Sequence, residues 1–335
     1  MTLPAGRESW SSSTAMGTTV HLCLVDPEPD GAAPTRHSRE GGNLARLGGD
    51  PRPRGDDGVG DRQLPQAAAL HALVGEVDAA LSHFRPTSDV GRLNASPGSW
   101  LPVGLHLVAV AEAADRYREL TGGVFDPIAG DGGVTRLQVR PAETGWEAQL
   151  VPGCRLDFGA IAKGYAADLV RERATAAGVL VSLGTSSISV AGHPAHRDAW
   201  RIALSSPWEA LPETLGYLEV EGGSLSISGL RGQRIHGGEV LAGHVRDPRT
   251  GSWARTDLCA VGVLSDDAML SEAISTACLV LGLQPGLALA CRLGLAAVFL
   301  TVDGRILGSP ESAPLLSLRA GVTNRLRACR RVQAT

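Results

Sequence analysis

Asp157-Phe158-Gly159-Ala160-Ile161-Ala162-Lys163-Gly164-Tyr165 reads as a strand end turning into a helix. Before it, Val151 to Phe158 holds a short apolar run with a Pro-Gly turn inside. From Ile161 the apolar residues recur at helical spacing, with Ile161, Ala162, Tyr165, Ala166, Leu169 and Val170 on one face. Gly178 is the expected stop. Lys163 falls in the first turn, where the backbone dipole is already positive and N–H groups point outward. A cation there is disfavoured by roughly a few tenths of a kcal/mol. A bound anion reverses the sign, because helix N-termini with a nearby lysine make phosphate sites. A solvated surface lysine is the plain alternative. Asp157, before the turn, favours a site: a carboxylate and an ammonium frame one glycine-loosened helix entry.

The chain around this stretch is large enough for a substantial core, with 335 residues and 43% apolar content. Its net charge of −4 leaves no general footprint for nucleic acid or an anionic membrane surface. Six cysteines are scattered without a C-x-x-C pair, so they read as small buried hydrophobes and not as a disulfide or zinc framework. Met1 to Ala15 carries no apolar signal region, and no apolar run reaches bilayer length. The expectation is a cytoplasmic protein without membrane insertion.

Working outward, Ala15 to Val25 reads as a strand opening on Met16-Gly17-Thr18. Residues 26–63 are rich in Pro, Gly, Arg and Asp with almost no core formers, which predicts a disordered insertion. Leu64 to Leu81 is an amphipathic helix with Ala69, Leu70, Leu73, Val77 and Leu81 on its buried face. It feeds the polar string Ser82-His83-Phe84-Arg85-Pro86-Thr87-Ser88-Asp89-Val90-Gly91-Arg92-Leu93-Asn94, in which Phe84 is either a stacking platform or a core anchor. A second helix, Val103 to Leu120, leads into Thr121-Gly122-Gly123-Val124-Phe125-Asp126-Pro127. The two glycines allow close backbone approach to a ligand. Asp126, held extended by Pro127, either points its carboxylate outward or closes an Asx turn.

Beyond the central stretch, Val179 to Gly192 is a strand, a bend and a strand around Leu183-Gly184-Thr185-Ser186. Short strands follow at Trp200 to Leu204, Leu215 to Val220 and Ser224 to Ser228. His244-Val245-Arg246-Asp247-Pro248-Arg249-Thr250-Gly251 has strong turn chemistry. Cys259 to Leu264 is a strand and Asp266 to Gly282 a helix. In that helix Glu272 and Thr276, four apart, share a face, so both oxygens can aim at one cation. A short helix near Pro285 to Leu293, a strand from Ala296 to Val302 and a polar end complete the chain.

Asp157-Phe158-Gly159-Ala160-Ile161-Ala162-Lys163-Gly164-Tyr165-Ala166-Ala167-Asp168 resembles the central motif of the FAD:protein FMN transferases, the ApbE family, which runs D-x-G-x-I-A-K-G-Y-x-x-D. Met16-Gly17-Thr18, the Ser82 to Asn94 string, Thr121 to Pro127, His244 to Gly251 and the Glu272 helix resemble further motifs, in the family's order. Two departures stand out. The family's L-G-G-D or L-G-G-N is Leu183-Gly184-Thr185-Ser186, and Glu272 replaces an aspartate.

The resemblance implies an α+β, ApbE-like (T-fold-like) fold of mixed sheets packed with helices. The domain would span 15–310, interrupted by the insertion 26–63, with 1–14 and 311–335 as flexible or peripheral tails. The implied activity is Mg²⁺-dependent transfer of FMN from FAD to a Ser or Thr hydroxyl of an acceptor flavoprotein, such as a membrane redox-complex subunit, releasing AMP. FAD is then a bound substrate and Mg²⁺ the cofactor. The resemblance places Met16, Phe84, Val124, Phe125, Asp126, Asp157, Lys163 and Val245 against the flavin nucleotide. It places the Ala160 carbonyl, Glu272 and Thr276 on the metal, and oxygen-only ligands suit a hard cation. Catalytic roles fall to His244, Lys163 and Asp157: Lys163 neutralises phosphate charge and His244 activates the acceptor hydroxyl. Water as acceptor would make the same site an FAD pyrophosphatase, and a site without turnover would make the chain an FAD-binding protein.

Overall fold

The computed structural model describes residues 6–27, 45–46, 64–130, 136–207, 213–229, 245–319, 322 and 326–328. The chain opens on a hairpin of β1 (Gly6–Ala15) and β2 (Thr18–Pro27), paired from Gly6↔Pro27 to Ala15↔Thr18. Its two-residue turn is Met16 (φ 55°) and Gly17 (φ 69°), the left-handed pair whose twist matches the strands. The expected tail 1–14 thus supplies an edge strand. β1 is mostly polar because an edge strand with a solvated face needs few apolar residues. Apart from Asp26, Pro27 and the two-residue β3 (Ala45–Arg46), the expected insertion lies outside the described residues.

Helix α1 (Leu64–Leu81) has the expected bounds, but its inner face is Ala67, Leu70, Leu73, Val74, Val77 and Leu81. Ala69 is exposed, one step off that stripe. There follow α2 (Asp89–Ala95), β4 (Leu101–Val103), α3 (Leu105–Leu120), β5 (Ile128–Ala129), β6 (Leu137–Pro141), β7 (Trp146–Leu150) and β8 (Arg155–Leu156). Helix α4 (Ala162–Arg173) starts where the motif places it, yet stops at Arg173 and not at Gly178. Gly178 instead opens β9 (Gly178–Leu183), where a Cβ would meet the His193 carbonyl oxygen at 2.1 Å. Next come β10 (Ser187–Gly192), β11 (Trp200–Ser205), β12 (Thr214–Val220), β13 (Gly223–Gly229) and β14 (Leu258–Ser265). The chain continues through α5 (Ala268–Leu281), α6 (Leu283–Arg292), β15 (Ala296–Thr301), β16 (Ile306–Gly308), β17 (Leu316–Leu318) and β18 (Leu326–Ala328).

These elements make three layers. The middle is a nine-stranded sheet in the order β1-β2-β9-β10-β13-β14-β15-β16-β18. One face packs on the second sheet, β17-β12-β11-β3; β17 and β18 bring part of the expected tail 311–335 into the sheets. Strand alternation sorts the side chains. Cys23, Leu180, Ile188, Leu225 and Val298 turn to the second sheet and meet Trp200, Ile202, Leu215 and Leu218. Leu22, Val181, Val263 and Phe299 turn the other way, into the core shared with α1, α3, α4 and α5. The α+β class expected from the sequence is the observed one.

Candidate functional site

The central motif binds its own turn together before α4 begins. Asp157 Oδ1 accepts the Gly159 N–H at 2.8 Å, Asp157 N–H donates to the Pro127 carbonyl at 2.8 Å, and the Ile161 and Ala162 N–H groups close on the Phe158 carbonyl. Phe158 and Ile161 anchor this turn in the core. The Asp157 carboxylate stays half exposed, with His83 Nδ1 2.9 Å from Oδ1. Phe84 lies next to His83, ring centroids 3.8 Å apart, and is 81% exposed. It is therefore an exposed ring and not a core anchor. His83, unassigned from the sequence, is what links this ring to Asp157.

Lys163 stands in the first turn of α4, as expected, and donates from Nζ to Ser186 Oγ at 2.6 Å. The next residue, Gly164, brings α4 against the start of α5: a Cβ there would lie 2.6 Å from the Ala268 carbonyl oxygen. That close approach lets the Glu272 carboxylate accept the Gly164 N–H. Glu272 is almost fully buried and also accepts a hydrogen bond from Ser187 Oγ. Burial pushes its carboxyl above the usual range, opposed by Lys163, the Ser187 hydroxyl and the Gly164 N–H. One turn on, Thr276 Oγ1 pairs with Ser228 Oγ at 3.1 Å.

Beside Ser186 the loop turns at Gly184 (φ 65°), where a Cβ would meet Thr18 Oγ1 at 2.4 Å, and the Gly184 N–H donates to the Thr19 carbonyl. The Met16-Gly17-Thr18 turn is therefore adjacent to the Lys163 anchor. Met16 is the single described non-glycine residue at positive φ. An αL residue of this kind costs about 1 to 2 kcal/mol and tends to gather at functional sites.

Other expected site residues have different surroundings. Val124 and Phe125 are buried in the core, so this segment can approach a ligand only through backbone, at Gly122 (φ 63°) and Gly123 (φ 80°). Asp126 is buried between arginines: Arg136 binds Oδ2, Arg118 Nε lies 3.7 Å away, and Oδ1 closes an Asx turn on the Ile128 N–H at 2.9 Å. Its carboxylate points inward, and its partners identify it as a structural ion pair. Val245 packs on the core at the base of a hairpin, in which Arg246 lies over Trp253. Ala160, half-buried, sits in the turn ahead of α4. His244 lies outside the described residues.

Asp168, part of the motif but given no role from the sequence, is buried on α4. It accepts the Ala268 N–H at 2.9 Å and Arg171 at 2.9 Å, so it ties α4 to the first turn of α5. Burial pushes its carboxyl up to about 6, opposed mainly by Arg171. A polar residue on the same helical stripe as Ile161 and Tyr165 was the available signal. Asp267 caps α5 through the Leu270 N–H and accepts Tyr117 Oη at 2.5 Å. Among the described residues no cluster of three or more His, Cys, Asp or Glu could hold a metal, and no helix is long and apolar enough to cross a membrane.

A family model described as the ApbE family matches residues 16–299. The FAD:protein FMN transferase of Treponema pallidum is 28% identical over 310 residues, covering 78% of this chain and 83% of that protein. That of Rhodobacter capsulatus is 35% identical over 164 residues, spanning 48% of this chain and 31% of the relative. Among solved structures, the apo Pseudomonas stutzeri flavinyl transferase ApbE superposes with a TM-score of 0.70 at 25% identity, covering 94% of this chain and 98% of that one. The Vibrio cholerae flavin transferase ApbE gives a TM-score of 0.70 at 21% identity, a likeness of fold. With the motif turn, the lysine anchor and the α4–α5 contact all inside the matched span, the chain belongs to the ApbE family.

Proposed function

We propose that this chain is an FAD:protein FMN transferase that moves FMN from FAD to a Ser or Thr hydroxyl of an acceptor flavoprotein, with Mg²⁺ as cofactor and AMP as leaving group. One observation carries the reading: Lys163 and Glu272, on two different helices, are fixed by the adjacent hydroxyls Ser186 and Ser187 at one strand entry. In the reaction the acceptor oxygen forms a bond to the FMN phosphorus. The bond from that phosphorus to the bridging oxygen breaks, AMP departs with the electron pair, and the hydroxyl proton passes to a base. Little covalent chemistry falls to the protein in such a transfer, so positioning and charge neutralisation dominate. Lys163 supplies a positive charge held by Ser186 at the dipole-positive end of α4. Asp157, with His83, holds the loop that carries the exposed Phe84 ring. His244 is assigned, on its loop position and imidazole chemistry alone, as the group that activates the acceptor hydroxyl.

The donor set fits Mg²⁺ in kind. A carboxylate, a hydroxyl and a backbone carbonyl are hard oxygen ligands, and the carboxylate among them, Glu272, is buried. Glu272, Thr276 and the Ala160 carbonyl would hold the ion, which when bound neutralises pyrophosphate charge and stabilises the leaving AMP. The test is to incubate purified protein with FAD, Mg²⁺ and a candidate acceptor. Acceptor that stays fluorescent after denaturation, with stoichiometric AMP, is the expected result. AMP with free FMN alone would mean hydrolysis, and retained FAD without AMP would mean binding only.

A further inference from the structure

Under α4 and α5 the sheet is lined with hydroxyls where its other strands carry hydrocarbon. Ser187 and Ser189 of β10 face this way, and so do Ser224 and Ser226 of β13, in the register Ser187↔Ser226 and Ser189↔Ser224. Ser189 and Ser224 bond to each other and Ser226 bonds to Ser275 of α5, while Ser271 of α5 donates to the Ser224 backbone carbonyl. Ser187 alone among them is bonded to a carboxylate, that of Glu272. It follows immediately on Ser186, the residue that holds Lys163. Ser186 ends the stretch in which the chain departs from the family's L-G-G-D or L-G-G-N, Ser187 follows it, and Glu272 is the other departure. The residue next to one departure thus holds the other.

We propose that Ser187 is a positioning residue for Glu272, and that the pair works as a unit in holding the divalent cation. This rests on the metal reading given above. An ionised carboxylate accepts only, so the Ser187 hydroxyl must be the donor. Its bond and that of the Gly164 N–H occupy part of the carboxylate's lone-pair capacity and leave the rest for a cation. Glutamate has one more rotatable bond than aspartate, and ordering it costs more side-chain entropy. Two donors on two different elements fix the longer side chain before any cation arrives, as hydrogen-bond partners of metal ligands do elsewhere. Glu272 is therefore matched to Ser187, and shortening it to the family's aspartate removes the match.

The test is calorimetric titration of Mg²⁺ into FAD-saturated protein, with melting of each metal-free variant as a check on folding. Ser187→Ala should bind Mg²⁺ about 10- to 100-fold more weakly, and Ser187→Thr, which keeps the hydroxyl, should stay near wild type. Glu272→Asp should also weaken binding, and adding Ser187→Ala to it should cost little more, the mark of a coupled pair. Wild-type affinity in Ser187→Ala, or tighter binding in Glu272→Asp with Ser187 intact, would overturn the positioning role. If Glu272→Ala loses Mg²⁺ in the same series, the metal site itself stands even then. Unchanged Mg²⁺ affinity in Glu272→Ala would instead remove the metal reading and this proposal with it.

Discussion

The two faces of the nine-stranded sheet obey the same alternation with different chemistry. Toward the second sheet, Leu180 of β9, Ile188 of β10 and Leu225 of β13 are buried among Trp200, Ile202 and Leu218. Toward the helices, β10 and β13 present Ser187, Ser189, Ser224 and Ser226, equally buried, while β9 presents Val179, Val181 and Leu183. Burying a large aliphatic side chain stabilises by about 1.5 to 3 kcal/mol, whereas a hydrogen-bonded hydroxyl nets about 1 kcal/mol. The helix face gives up burial energy where the charged groups of the site converge. The other face is packed for stability around Trp200 and its aliphatic neighbours.

The hardest test of that contrast is to damage the apolar face. Leu180→Ala should cost about 2 to 5 kcal/mol through lost burial and a cavity. Thermal melting should show it, at very roughly 2–4 °C per kcal/mol. Transfer per folded molecule should be unchanged. A matching loss of catalytic rate in the folded fraction would mean that the two faces are not separable.

On the helix face the expected effects are on activity. Glu272→Gln should reduce Mg²⁺-dependent AMP release by at least about 100-fold, since the amide keeps the shape and loses the charge. Its effect on stability has the opposite sign. The folded-state pKa of Glu272 is raised, so the stability it allows at low pH is lost as pH rises through that value. Without metal at neutral pH, Glu272→Gln should therefore melt higher than wild type, with the gap closing on acidification. A lower melting point at neutral pH would show that the carboxylate is already compensated. Lys163→Ala should weaken FAD binding by about 10-fold or more, the scale of one charge-assisted contact, and leave riboflavin, which lacks phosphate, much less affected. Equal losses for both ligands would remove the phosphate role.

Asp168 links the faces of α4 and α5, and its effect is read in pH. Its folded carboxyl sits at about 6 against an ordinary 3.8. Relative to Asp168→Asn, wild type should lose roughly 3 kcal/mol of stability as pH rises from about 4 to about 6, then stay level. The sign is fixed: a raised pKa favours the protonated form in the fold, so the advantage lies on the acid side. Chemical unfolding across that range measures it, and parallel profiles for the two proteins would rule out the raised carboxyl.

Much of the fold was legible because apolar periodicity is local. α1 keeps its predicted ends, and β9, β10 and β14 fall where β-branched runs placed them. β1, β17 and β18 escaped because short or polar edge strands owe their pairing to a partner far along the chain. In the site, the motif located Lys163 and Glu272, but what holds them could not be read. Ser186 lies 23 residues from Lys163, and Ser187 lies 85 from Glu272. Of the two readings open for Asp126 the Asx turn is the one observed, and the arginine that holds its other carboxylate oxygen, ten residues on, could not be read from the motif. Val124 and Phe125 show the limit of a glycine-rich motif, which marks where a backbone comes close and not which way its neighbours face.

The smallest predicted effect separates hydroxyls that fill the seam from the one that aims a carboxylate. Among the described residues Ser226 Oγ bonds only to Ser275 Oγ, at 3.2 Å. Ser275 keeps Ser228 Oγ at 2.9 Å and the Glu272 carbonyl at 3.1 Å when Ser226 is removed. Ser226→Ala therefore orphans no buried donor or acceptor, and the cost should be that of one replaceable hydrogen bond, about 0.5 to 1 kcal/mol. Mg²⁺ dependence of transfer should not move, because the Ser187 hydroxyl directly across the strand pair still holds Glu272. The measurement is AMP release against Mg²⁺ concentration for Ser226→Ala beside Ser187→Ala. Equal shifts in the two variants would mean that the seam acts on the carboxylate as one polar layer, and that Ser187 has no role of its own.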